Sequence, residues 1–196
     1  MNKLKTLLSI AAIAFAANAT ADCVVTSEYI VKASKKEALP EIGCDLNYYI
    51  KDTSLRKGVP SSKANLTYLI TFSNQEDLTA IDLSELNQRY KVSLRLENNP
   101  NLTTLKLGEL KNFNTISLKG SAIKDVRFLE NITSGSIYST TEKYDITENK
   151  QYSRFTHFPN DETSNFCKAL KSRKVKFVQH KINQRNAEKS CNIERD

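Results

Sequence analysis

The repeated pattern of this chain is clearest in residues 97–107, which read ENNPNLTTLKL. Asn tolerates left-handed backbone and Pro fixes φ, so ENNPN predicts a tight turn. Leu105 and Leu107 flank the polar Lys106, and this alternation predicts a short strand with one buried face. We expect Asn98 to point inward and to satisfy backbone groups of the turn, which is a structural role.

The same apolar-polar-apolar ending recurs on both sides of this stretch. Ile81, Leu94, Leu105 and Ile116 each begin such an ending, at spacings of 13, 11 and 11 residues. Eleven residues hold a strand and a turn but no helix, and two such units make a coil of about 22 residues, a leucine-rich-repeat length. Successive strands are therefore expected on alternate parallel sheets, with Leu94 and Ile116 sharing one sheet and Ile81 and Leu105 the other.

The polar residues between the buried ones are predicted to face outward, where a repeat protein binds its partners. They are Ser93, Arg95, Glu97, Thr115, Ser117 and Lys119 on one sheet, and Ala80, Asp82, Thr104 and Lys106 on the other. Among these, the candidate partner-binding residues are Arg95, Glu97, Lys106, Ser117 and Lys119. Neither predicted surface shows an exposed aromatic cluster, the usual mark of a binding hot spot.

Residues 98–105, NNPNLTTL, resemble the N-P-x-L-x-x-L turn and strand of leucine-rich repeats. They are similar in particular to the L domains of insulin- and epidermal-growth-factor-type receptors and to bacterial secreted leucine-rich-repeat proteins. The resemblance covers about residues 40–140. It implies an α/β solenoid, mainly β with short helices, in which a right-handed coil forms parallel sheets around one thin core.

The coil needs a cap at each end to cover its apolar faces. We expect one domain over residues 22–196, with an N-terminal cap at 22–64, repeats at 65–138, and an irregular segment with a C-terminal cap at 139–196.

Four segments of these caps carry recognisable local patterns. The first cap is predicted to contain a short helix at 35–39 and a strand at 46–50. The second is predicted to contain a helix that starts within 160–163 and a strand at 174–178.

Residues 1–21 have the organisation of a secretory signal peptide. Lys3 and Lys5 precede an apolar run at 7–17, and small residues at 17, 19 and 21 form cleavage sites. The run is too short to span a membrane as a helix, so no membrane anchor is expected. The short, Lys-bearing leader is typical of bacteria and predicts export to the periplasm or the extracellular medium.

An even number of cysteines in an oxidising compartment predicts disulfides. The exported part holds four, which allow three pairings: Cys23, Cys44, Cys167 and Cys191. One pair near each end favours Cys23–Cys44 and Cys167–Cys191, which would pin the two caps. The chain lacks a C-x-x-C cluster, so no metal site is expected.

The positive charge is concentrated at the C-terminal end. The chain has 29 Lys and Arg against 22 Asp and Glu, a net charge of +7, and loss of Lys3 and Lys5 leaves 27 against 22. Residues 168–196 carry nine basic and three acidic residues, and Lys174 and Lys176 there are further candidate contacts. This end is either a contact surface for an acidic partner or a solvated edge that protects the last strand.

Sequence motifs of known catalytic chemistry are absent. Cys167 with His157 or His180 could form a nucleophile and base, and Asp161 with Glu162 could form an acid–base pair. A disulfide and a helix start explain these residues better, so neither an enzyme nor a cofactor is expected.

We therefore expect an exported protein that binds another protein or an envelope component. Acidic partners are among those expected. Export and the lack of interleaved aromatic residues argue against nucleic acid. Two alternatives stay open: a periplasmic inhibitor or immunity protein whose basic cap blocks an acidic toxin, and a small secreted hydrolase.

Overall fold

The structure is a computed structural model, and it describes residues 22–52, 67–139, 155–178 and 181–194. The predicted signal peptide and His180 lie outside the described residues. The described part has mixed α/β content, with most strands in parallel sheets and few helices. Neither of its two sheets closes into a barrel.

The elements alternate short strands with turns through the middle of the chain and place helices near the ends. In order they are β1 (Cys23–Thr26), α1 (Ser27–Lys35), β2 (Tyr48–Asp52), β3 (Thr67–Ser73), β4 (Leu78–Asp82), β5 (Lys91–Glu97), β6 (Thr104–Lys106), β7 (Asn112–Ser117), β8 (Ser134–Tyr138), α2 (Asn165–Lys171), β9 (Val175–Val178) and α3 (Lys181–Ser190). A short 3₁₀ helix, Arg127–Leu129, lies between β7 and β8.

The strands form two sheets, of order β1-β4-β6 and β2-β3-β5-β7-β8-β9. All neighbours are parallel except β2, which pairs antiparallel with β3. Leu94 pairs with Ile116 in the six-stranded sheet, and Ile81 pairs with Leu105 in the three-stranded sheet. The prediction that successive strands alternate between two sheets is thus confirmed for the strands of these four residues.

One apolar cluster fills the space between the sheets. In β5, Val92, Leu94 and Leu96 are buried, whereas Ser93 and Arg95 point away from the core. Side chains alternate between the faces of a strand, so burial of every second residue leaves a polar outer face.

The turns contact each other at separations close to the predicted coil length. Asn99 is fully buried; its Oδ1 accepts from the Gln75 amide at 2.9 Å, and its Nδ2 donates to the Phe72 carbonyl at 3.0 Å. Asn98 instead has a φ of 57° and donates to the Asn74 side chain at 3.1 Å on the surface. The prediction that Asn98 is the inward residue is therefore wrong, since its neighbour Asn99 takes that place.

The turn after β6 lies directly against an earlier turn. Gly108 has a φ of +52°, and a Cβ at this position would lie 2.6 Å from the Ser84 Cα. Asn131 donates to the Gly108 carbonyl at 3.3 Å, so the next turn along the chain in turn contacts this one. Close backbone approach at a left-handed position explains why glycine occupies residue 108.

The N-terminal helix differs from its prediction. Helix α1 begins after Thr26, whose side chain accepts from the Tyr29 amide at 3.3 Å, and it ends at Lys35, before the left-handed Lys36. The helix predicted at 35–39 is therefore wrong, because the chain leaves the helix there. Tyr29 and Ile30 have strong strand propensity, but tertiary packing of the buried helix face overrides it.

The disulfides join Cys23 to Cys44 and Cys167 to Cys191, the two pairings that the spacing favoured. Each connects a terminal element to its neighbours. The first ties β1 to the loop before β2, and the second ties α2 to the end of α3.

The C-terminal helices also depart from the sequence pattern. The helix predicted to start within 160–163 begins later, because Ser164 is the N-cap and its Oγ accepts from the Cys167 amide at 3.1 Å. Helix α3 was not predicted, since Asn183 and Ala187 are its buried residues and neither signals an apolar face.

Two side chains of α3 connect it to neighbouring segments. Gln184 Oε1 accepts from the Phe177 amide of β9 at 2.8 Å. The buried Asn183 accepts from the Phe155 amide at 3.3 Å and donates to Ser139 Oγ at 2.8 Å. These bonds hold α3 against the end of the six-stranded sheet.

Candidate functional site

A row of outward side chains crosses the six-stranded sheet from β2 to β8. The register pairs Tyr49 with Thr71, Thr71 with Arg95, Arg95 with Ser117, and Ser117 with Tyr138. Paired residues on neighbouring strands project from the same face. The row therefore places an aromatic residue at each end and polar groups between them.

A second row runs beside the first and ends in a lysine on each side. It consists of Lys51, Leu69, Ser93, Thr115, Ser136 and Lys176 in register. Lys51 and Lys176 are exposed, whereas the four residues between them are half-buried. The outer face thus has hydroxyl groups at its centre and cations at both margins.

The two rows enclose a shallow groove of about 400 Å³. Its wall residues come from five strands, β2, β3, β5, β7 and β8, and from the first residue of the turn after β7. They are Tyr49, Leu69, Thr71, Ser93, Leu94, Arg95, Glu97, Thr115, Ser117, Lys119 and Tyr138. The groove is therefore built on paired strands rather than on loops, which makes it a preorganised surface.

Glu97 lies at the centre of a polar network in the groove. Arg95 Nε donates to Glu97 Oε2 at 2.8 Å, and Ser117 Oγ donates to Glu97 Oε1 at 2.6 Å. The Glu97 side chain is 18% exposed and that of Arg95 is 64% exposed. The carboxylate is thus held inside the groove while much of the guanidinium stays open to solvent.

The environment of Glu97 favours its charged form. Burial by itself raises the pKa of a carboxyl, but hydrogen bonds from Ser117 and Arg95 and the charges of Arg95 and Lys119 outweigh it. The pKa of Glu97 is therefore below its ordinary value of 4.5. The carboxylate stays ionised at neutral pH and fixes the position of Arg95.

We expect Glu97→Gln to lower the free energy of unfolding by about 1 kcal/mol at neutral pH, because charge-assisted hydrogen bonds are lost. A lowered folded-state pKa contributes stability above the unfolded-state pKa, and this contribution disappears as the pH falls through the folded-state value. The difference between wild type and variant should therefore narrow below pH 4.5. Urea unfolding at a series of pH values measures it.

Glu109→Gln is the control for this titration, since Glu109 is 69% exposed and lies 3.9 Å from Lys111. A gap between wild type and Glu97→Gln that stays constant through the acid range would contradict the role given to Glu97.

Two tyrosines bound the groove at opposite ends of the row, so they do not form an exposed aromatic cluster. Tyr49 is 54% exposed. Tyr138 is half-buried, and Lys119 Nζ lies 5.7 Å from its ring centroid, within cation–π range. The register of the antiparallel β2 brings Tyr49 into the row, and this register is not a local property of the sequence.

The predicted partner-binding residues fall into two groups. Arg95, Glu97, Ser117 and Lys119 come together in the groove. Lys106 does not join them, since it lies in the three-stranded sheet and pairs with Asp82 at 3.3 Å.

The two predicted contacts of the basic end lie at or beside the last strand. Lys176 is exposed on β9, in register with Ser136. Lys174 is exposed just before β9, and its carbonyl accepts from the Gly135 amide at 3.0 Å. Lys176 thus extends the second row, whereas Lys174 stands at the start of the strand.

Three of the residues considered for catalysis have structural partners, namely Cys167, Asp161 and Glu162. Cys167 is bonded to Cys191, so it offers no thiolate. Asp161 Oδ1 accepts from the amide and the hydroxyl of Thr163, both at 2.8 Å, and these bonds lower its pKa. Glu162 accepts from the Asn192 side chain.

Within the described ranges, no group of three or more His, Cys, Asp or Glu residues is placed to hold a metal ion. None of the helices in the described part is both long and apolar enough to cross a membrane.

Comparisons with models of known protein families, with curated proteins and with solved structures found no match to this chain.

Proposed function

We propose that this chain is an exported binding protein that holds a partner against the outer face of its six-stranded sheet. The observation that carries the proposal is the in-register row from Tyr49 to Tyr138, with Arg95 between them. Tyr and Arg are the residues that most often dominate binding energy at interfaces. The partner is another protein or an envelope component, and the cations at the groove margins favour an acidic one.

The proposal includes a right-handed solenoid of the leucine-rich-repeat kind. Support comes from the spacing of contacts between turns: Asn98 bonds Asn74, 24 residues earlier, and Thr133 bonds the Lys111 carbonyl, 22 residues earlier. Repeated contacts at this separation are those of stacked coils. A stacked array presents its outer face rigidly, which lowers the entropy cost of association.

Export is proposed from the leader and supported by the disulfides. Disulfides persist in oxidising compartments and are rare in the cytosol. Both bonds lie in the two caps, where they secure the ends of the array. The destination is the periplasm or the extracellular medium.

Site-specific photo-cross-linking tests the binding face. A photoreactive residue at Thr115 lies in the groove, and one at Thr104 lies exposed on the other sheet as the matched control. With native envelope and medium, we expect about tenfold more cross-linked partner from Thr115 than from Thr104, the ratio given by roughly 1.4 kcal/mol of preferential binding. Equal yields from both positions would refute the groove as the binding face.

A second candidate function is inhibition of an acidic protein by the basic end. Eight exposed cations lie there, and none takes part in the ion pairs found among the described residues: Lys168, Lys171, Arg173, Lys174, Lys176, Lys181, Arg185 and Lys189. Exposed like charges steer an oppositely charged partner. Cross-linking from Lys171 in place of Thr115 would favour this candidate.

A further inference from the structure

The outer face of the six-stranded sheet has an excess of positive charge along a line that crosses the strands. Among the described residues, Lys51, Arg95, Lys119 and Lys176 lie in or beside the groove, and Glu97 is the one carboxylate that lines it. The Glu97 carboxylate already accepts hydrogen bonds from Arg95 and Ser117. The charge left for a ligand is positive, so an anionic ligand complements this face.

The distribution of these groups matches an extended ligand. Tyr49 on β2 and Tyr138 on β8 are separated by four strand spacings, or about 19 Å. Lys51 on β2 and Lys176 on β9 are separated by five, or about 24 Å. A chain that crosses the strands can touch both tyrosines and both lysines, whereas a compact small molecule reaches one end.

The inner strands of the face can recognise a ligand only through side chains. Strands β3, β5, β7 and β8 each have a neighbour on both sides, so their main-chain groups are hydrogen-bonded within the sheet. Extended peptides gain affinity chiefly from main-chain bonds at a sheet edge, and these four inner strands have no edge to offer. It presents instead the hydroxyls of Thr71, Ser93 and Thr115 between two tyrosine rings.

From this combination we propose that the groove binds a linear anionic polysaccharide, laid across the strands from Tyr49 to Tyr138. This inference rests on the proposed function and names the ligand class of the same groove. Tyrosine rings pack on the flat C–H faces of sugar rings while their hydroxyls bond to sugar hydroxyls. Arg95, Lys119 and the marginal lysines pair with the acidic groups of the chain.

Binding of fluorescent oligosaccharides to the exported chain tests the proposal. The probes are oligogalacturonate, its uncharged methyl ester, sulfated dextran of similar length, and polyglutamate. We expect oligogalacturonate or sulfated dextran to bind about tenfold more tightly than both the methyl ester and polyglutamate, because neither of these offers charge and sugar rings together. The preference between the two anionic probes distinguishes carboxylate from sulfate groups.

Groove variants locate the binding. Tyr49→Ala and Lys119→Gln should each weaken binding of the preferred probe about tenfold. Lys106→Gln on the other sheet and the double variant Lys171→Gln, Lys189→Gln in the basic end are matched controls, and we expect changes of about twofold or less for them. Circular dichroism checks that each variant is folded.

Several outcomes would overturn the inference. If polyglutamate binds as tightly as the acidic sugars and Tyr49→Ala weakens it, the partner is an acidic protein and the proposed function stands. If the control in the basic end weakens binding as much as Tyr49→Ala, the attraction is a general charge effect. If none of the probes binds, the polysaccharide is excluded, and Thr115 cross-linking then decides whether the groove binds at all.

Discussion

Replacement of Asn99 by alanine is expected to lower the free energy of unfolding by about 2 to 6 kcal/mol, because two buried backbone groups lose their partners at about 1 to 3 kcal/mol each. These groups are the Gln75 amide and the Phe72 carbonyl. The site is fully closed to solvent, so water cannot replace the lost amide. Urea unfolding followed by far-ultraviolet circular dichroism measures the change.

Asn101→Ala is the matched control in the same turn. Asn101 is exposed, and its side chain donates to the Glu76 carbonyl at 2.8 Å, so solvent can take over the lost bond. We expect a loss of about 1 kcal/mol or less for this variant. Equal losses for the two substitutions would show that burial of Asn99 is not what matters.

Gly108→Ala is expected to destabilise the chain by about 2 to 5 kcal/mol, from roughly 1–2 kcal/mol for the left-handed backbone and roughly 1–3 kcal/mol for overpacking. The added methyl group would lie 2.6 Å from the Ser84 Cα and 2.7 Å from its carbonyl oxygen. These are backbone atoms, so relief requires the two turns to separate. Thermal and urea unfolding report the loss.

Gly43→Ala separates the two contributions to this effect. Gly43 has a φ of 75° and lies exposed in the loop before β2. Its substitution should cost only the left-handed penalty, about 1–2 kcal/mol. If Gly108→Ala is no worse than Gly43→Ala, the contact with Ser84 does not constrain the spacing of the turns.

The sheet assignments were predictable because they depend on a local period. Alternation within each strand and the 11-residue spacing place Leu94 and Ile116 in one sheet without any knowledge of long-range contacts. The same alternation predicted that Arg95 and Glu97 point outward. Half of the candidate site was therefore visible in the sequence.

The rest depends on tertiary packing. Helix α1 contains residues with strand propensity and forms a helix because its buried face packs on the core. Asn98 and Asn99 are adjacent residues of the same type, and only the turn geometry decides which one is buried. Tyr49 joins the site through antiparallel pairing of β2, which is a long-range register that no local pattern encodes.

Gln184 covers part of the exposed edge of the six-stranded sheet. A terminal strand with open amides is a template onto which another molecule can add a strand, and such additions lead to aggregates. The side-chain oxygen of Gln184 occupies the Phe177 amide of β9 from within the same chain. That amide is therefore satisfied within the chain by an uncharged side chain, so its protection does not depend on the charges of Lys174 and Lys176.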